Sequence, residues 1–184
     1  MKVNFKKWLV ISILLFSLGI VLGLSNPSGE ALVEEELAIM EELVAWLAAL
    51  PPGLLALFIL LKNWLALLIS FAFSPLLLLS PVLTLTSNGL LLEVVASEVA
   101  QNTSPGYVLA GLLPHGIIEI PALIIAEAAA LSFGTSIILA IFRKTSRAEL
   151  FTSIKKNLKY LLLAMLLMIP AALIETFITP LFIQ

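Results

Sequence analysis

The chain has no cysteine and no aspartate, a single histidine, and only 12% charged residues among its 184. Without cysteine there is no disulfide, no thiolate metal site, no cysteine nucleophile and no palmitoylated thiol. Without aspartate every acid is one of twelve glutamates. The scarcity of charge stands against 61% hydrophobic residues and a mean hydropathy of +1.14. A soluble domain of this size is excluded, because so few charges could not cover that much apolar surface. What fills the chain instead is a series of long apolar runs.

The first follows a basic start, "MKVNFKK", and extends from Trp8 to Leu24, 17 residues. Gly23 and Ser25 would suit a signal-peptide cut, but the run is longer than the ~7–15 residues of a signal core and reaches the short end of a bilayer span. It reads as an uncleaved first span. Four more runs follow: Leu54–Phe73, Pro75–Ser97, Tyr107–Phe142 and Leu158–Ile183. As a straight helix, Tyr107–Phe142 would measure ~54 Å against a hydrocarbon core of ~30 Å. A break or re-entrant turn is therefore expected inside it, at Pro114-His115-Gly116. The expected fold class is all-α, a helical membrane bundle of about five spans. Residues 1–184 read as one integral membrane domain: a first span over 1–24, an amphipathic helix over 25–53, and four spans over 54–184.

The basic residues set the expected orientation. Lys2, Lys6 and Lys7 precede the first span, and Arg143, Lys144, Arg147, Lys155, Lys156 and Lys159 cluster between the last two. Residues 25–53 hold six glutamates and no basic residue. Five spans with a cytoplasmic N-terminus place both basic segments inside a cell membrane and the acidic segment outside. Within that segment Val33, Leu37, Met40, Val44 and Leu47 repeat at helical spacing, with Glu34, Glu35, Glu41 and Glu42 off the stripe. This predicts an extracytoplasmic amphipathic helix, either a lid on the bundle or a docking face.

Ionisable groups in hydrocarbon cost ~2.5–3.5 kcal/mol each on insertion scales, so they usually face the bundle interior and mark function. The candidates are Lys62, Asn63, Asn88, Glu93, His115, Glu119, Glu127 and Glu175. His115 and Glu119 are four apart, hence ~40° apart on one helix face. Lys62, His115, Glu119 and Glu175 are expected to converge where the fourth span breaks. Three chemistries could use such a set. One is a structural knot of paired charges. Another is a pathway for a proton or cation. The third is a metal held by His115, Glu119 and Glu175, activating water for hydrolysis. H-E-x-x-H and G-x-S-x-G motifs are both absent, which leaves no catalytic residue assigned and no cofactor expected unless that metal is bound. Nothing points to nucleic acid.

Four separated stretches, in order, resemble the stage II sporulation protein M family: "FILLKNW", "SNGLLLEVV", "LPHGIIEIPALIIA" and "ALIETFITP". By position the resemblance carries over Lys62, Asn63, Asn88, Gly89, Pro114, His115, Gly116, Glu119, Glu175, Thr179 and Pro180. Two places depart from the family pattern: bulky residues and Glu93 follow Asn88-Gly89, and Glu127 stands where a small or apolar residue is expected. The family's named role is in endospore engulfment, as a membrane anchor for peptidoglycan-degrading enzymes, and no catalytic activity comes with the resemblance. Homologues occur in organisms without spores or that wall. The resemblance implies a non-enzymatic scaffold or complex subunit. The alternatives are a transporter-like component that uses the polar set as an ion or proton site, and, less favoured, a metal-dependent hydrolase. Partners expected are lipid and either a second copy of the chain, as a homodimer, or other membrane or wall-associated proteins.

Overall fold

The computed structural model describes residues 4–25, 46, 50–142 and 146–182. The expected amphipathic helix over 25–53 lies almost wholly outside them. The described residues form five helices: α1 Phe5–Ser25, α2 Pro52–Phe73, α3 Leu79–Asn102, α4 Pro105–Ile141 and α5 Arg147–Phe177. A 3-10 turn, Thr179–Leu181, closes the described chain. All five helices are long and apolar enough to cross a membrane. In hydrocarbon this is the physical requirement, since a helix satisfies its own backbone where no water can.

The bundle is organised around α4, which packs against each of the other four helices and most extensively against α5. Its stretch from Ala126 to Ser132 is buried on every side, each residue 2% exposed or less. Four of those seven residues are alanine. Small side chains let neighbouring backbones approach closely, which substitutes for the hydrophobic driving force that lipid does not provide. The rest of the core comes from Phe16, Leu67, Phe71, Leu85, Leu161 and Met168. Leu14, Leu61, Leu65, Leu162 and Leu166 face outward, as lipid-facing residues would.

Helix α1 lies against α3 through glycines. A Cβ on Gly89 would run into the carbonyl of Phe16, and one on Gly19 into the carbonyl of Thr86. The Asn88-Gly89 motif thus marks a backbone-to-backbone contact.

Between α2 and α3 the chain reverses within five residues, and Leu77 and Leu78 take left-handed φ values of 53° and 60°. Both carry the steric cost of that region, about 1 kcal/mol or more each. This turn is the "FSPLLLLSP" joint between the second and third apolar runs.

Two expectations are corrected. First, Pro114-His115-Gly116 does not break the helix: α4 continues for 37 residues through both Pro114 and Pro121. Each proline forfeits one backbone hydrogen bond, whereas a full break would strand several backbone groups in hydrocarbon. Continuity is the cheaper solution, and a helix of ~55 Å must tilt or protrude instead. The atoms nearest to a Cβ placed on Gly116 belong to Leu112 and Ile120 of its own helix, at 3.6 and 3.8 Å.

Second, the basic segment before the last span is not a loop from Arg147 onward, because α5 begins there. Its start is a capping box. Ser146 Oγ accepts from the backbone N–H of Glu149, and the Glu149 carboxylate accepts from the backbone N–H of Ser146. The S-x-x-E pattern that specifies it is present in the sequence at residues 146–149. Ser146→Ala should therefore destabilise the first turn of α5 by about 1 kcal/mol. Faster amide hydrogen exchange confined to residues near Arg147–Leu150 would register it.

Phe5 and Tyr160 stack with ring centroids 3.7 Å apart, which brings the start of α1 to the side of α5. Lys6 and Lys7 thus lie at the same end of the bundle as Lys155, Lys156 and Lys159. From Tyr160 back to Arg147, α5 extends a further ~20 Å.

Candidate functional site

Three of the sequence candidates come together. One ligand atom each from His115, Glu119 and Glu175 lies within 4.8 Å of the other two, and all three residues are half-buried. Helix α4 supplies the first two from adjacent turns of one face, as their four-residue spacing requires. Helix α5 supplies Glu175 two residues before it ends. The last carbonyls of a helix carry partial negative charge, so the terminus of α5 adds to the two carboxylates. The set is built to attract a cation.

Neighbouring side chains orient it. Asn63 of α2 donates its amide N–H to Glu119 Oε1 at 3.4 Å. His115 Nδ1 lies 3.3 Å from Thr179 Oγ1 in the turn that follows α5. With the ring proton on Nδ1, the Thr179 hydroxyl accepts it, and Nε2 is left with its lone pair free. Partners of this kind fix the tautomer and direction of a ligating imidazole. Lys62 stands beside the group and acts on the Glu175 carboxyl through its charge, as Glu119 does with opposite sign.

His115, Glu119 and Lys62 stand at the polar end of a cavity of about 460 Å³. Lys62, Asn88, His115, Gly116 and Glu119 line it, along with apolar side chains of α3 and α4. Val99 and Tyr107 place its other end near the turn between α3 and α4, opposite the basic end of the bundle.

The remaining candidates are distributed differently. Asn88 lines the cavity but is exposed, and its amide donates to the carbonyl of Thr84 one turn back, at 2.8 Å. Glu93 accepts from Ser97 within α3 and packs against Gly23 of α1. Glu127 lies deeper on α4, fully buried, and accepts from Ser70 Oγ. Ser70 and Tyr107 were not singled out by the sequence reading. Ser70 falls seven positions after Asn63, two turns along the same face of α2, and that spacing was the available signal.

Three donors of this type, one imidazole and two carboxylates, suit a divalent transition metal; calcium and magnesium take oxygen ligands alone. An open side toward the cavity would leave room for water or a further ligand.

The aligned relatives include the uncharacterized protein MJ0793 of Methanocaldococcus jannaschii, 32% identical over 103 residues, covering 55% of this chain and 58% of that one. A second, the uncharacterized protein MJ0706 of the same organism, is 39% identical over 70 residues, covering 37% and 33%. The chain thus spans 58% and 33% of the length of the curated relatives it matches. No solved structure matches it. The family described as stage II sporulation protein M matches residues 9–180, which takes in most of α1, all of α2 to α5 and every residue of the site. The chain belongs to the stage II sporulation protein M family.

Proposed function

We propose that this chain is a non-enzymatic integral membrane subunit that binds a divalent cation inside the bundle, at His115, Glu119 and Glu175. The observation that carries the reading is the convergence of these three donors within 4.8 Å, two of them, His115 and Glu119, at the wall of a cavity. Two carboxylates held this close in a medium of low dielectric repel one another, and a cation between them removes that cost. Lys62 offsets part of it without closing the site.

A cytoplasmic N-terminus accords with the shared basic end of α1 and α5, under the rule that basic segments remain inside. The cavity then opens toward the outside. Five spans are few for a complete transport path, so the chain works as a homodimer or beside another membrane or wall-associated protein. No residue is assigned a catalytic role.

A second reading, a transporter-like component, is favoured by one specific feature. Helix α5 ends beside the site, as discontinuous helices do where transporters coordinate cations. In liposomes that reading requires cation flux that collapses in Glu119→Gln.

The deciding measurement is elemental analysis of detergent-purified protein beside a His115→Ala control. Near one divalent transition metal per chain, lost in the variant, is the expected result. No metal in either sample, even after incubation with zinc or manganese, would sink the cation reading.

A further inference from the structure

Glu127 is the ionisable group that the cation site does not use. It lies eight positions beyond Glu119 on α4, ~12 Å further along the axis, and none of its surface is exposed. Ser70 Oγ of α2 donates to its Oε2 at 2.5 Å, while Oε1 is buried with no hydrogen-bond partner. Ala126, Ala128, Ala129 and Ala130 enclose it in sequence, each 1% exposed or less.

Among the described residues the side chain that hydrogen-bonds this carboxyl is Ser70 of α2. The ionisable groups that share its α2–α4 seam are Lys62 and Glu119, each eight positions toward the cavity. A bare carboxylate is not sustained in hydrocarbon on one hydrogen bond. It must hold either a metal ion or a proton. The nearby Ser74 hydroxyl is committed to the carbonyl of Phe71. One serine and a wall of alanine do not make a coordination shell, which leaves the proton.

The seam has two rungs, Asn63 on Glu119 and Ser70 on Glu127, seven positions apart on α2 and eight apart on α4. The upper rung is long, at 3.4 Å, and a cation bound by Glu119 would share that carboxylate with Asn63. Loosening the upper rung relaxes the helix pair that encloses the lower one.

We propose that Glu127 is a proton-binding site, and that its proton exchanges with solvent through the α2–α4 seam at a rate set by cation occupancy at Glu119. The linkage rests on the cation reading above; the proton site does not. The step is an acid–base exchange alone: the Oε1–H bond breaks, the proton passes to water, and another returns.

Infrared spectroscopy of the full chain in detergent, in H2O and then D2O, tests both parts. The wild type should show a protonated-carboxyl C=O band that is absent from Glu127→Gln, a variant that preserves shape and the bond from Ser70. Ser70→Ala should shift the same band by removing that bond, and serves if Glu127→Gln does not fold. In D2O the band should move as hydrogen is exchanged for deuterium, with a rate that changes on adding zinc. A spectrum without the band overturns the proton site. A band that never exchanges, or exchanges at the same rate with and without zinc, overturns the linkage. Failure of the cation reading is separate: elemental analysis then finds no metal while the Glu127 band remains.

Discussion

Gly89→Leu should abolish the folded bundle. Gly89 and Gly19 are where α1 and α3 meet backbone to backbone. A Cβ at 89 would collide with the carbonyl of Phe16 and stand only 3.2 Å from the backbone nitrogen of Ile20. Rotamer change cannot relieve a clash between a Cβ and a backbone carbonyl, so the two helices would have to separate. Overpacking in a tight core typically costs 1–3 kcal/mol. Here the cost should exceed that range, because separation also uncovers Phe16 and Leu85, both buried. Gly89→Ala should show an intermediate loss, since its single methyl meets the same carbonyl. Thermal unfolding in detergent, followed by circular dichroism, gives the order wild type, Ala, Leu. A Leu variant as stable as the wild type would show that α1 does not pack as described.

Glu175→Gln should remove cation binding and, at the same time, stabilise the metal-free protein. Loss of one of three ligands, and one of only two charged ones, should weaken affinity by at least ~100-fold, the upper end of what removing a mere outer-shell partner costs. The stability gain follows from the same geometry. Two unit charges 4.8 Å apart repel by about 3 kcal/mol at an effective dielectric of about 20. Half-exposure and the opposing charge of Lys62 reduce the net gain to about 1 kcal/mol. For a chain of this length that is a rise of roughly 2–4 °C in the melting temperature without metal. Added zinc should then raise the melting temperature of the wild type and leave the variant unchanged. A fall in metal-free stability would show instead that Glu175 is a structural partner of Lys62, and the site a knot of paired charges.

These two effects differ in how visible they were. The cation set was half legible: the four-residue spacing of His115 and Glu119 places both on one face of any helix, whatever it packs against. Glu175 could be named as a costly group in hydrocarbon, yet nothing local says which helix face it meets across 56 residues. Asn63 and Thr179 reach Glu119 and His115 for the same non-local reason. The break expected at Pro114 shows the opposite failure. Proline's local cost was read correctly, but the collective cost of unpaired backbone in hydrocarbon is larger and keeps α4 whole. At Ser146 the signal was local and sufficient, since a capping box is written in four residues.

Composition and apolar run length by themselves determined a membrane chain with five span-length helices among the described residues. Those properties depend on how each segment partitions between water and lipid, one segment at a time. Tertiary structure alone decided that α4 stands at the centre, that glycines seat α1 on α3, and that Glu175 closes on His115 and Glu119 while Glu127 is sealed against Ser70. Those outcomes turn on which helix faces meet, and lipid offers no hydrophobic preference among apolar faces, so only close packing and polar pairing could choose.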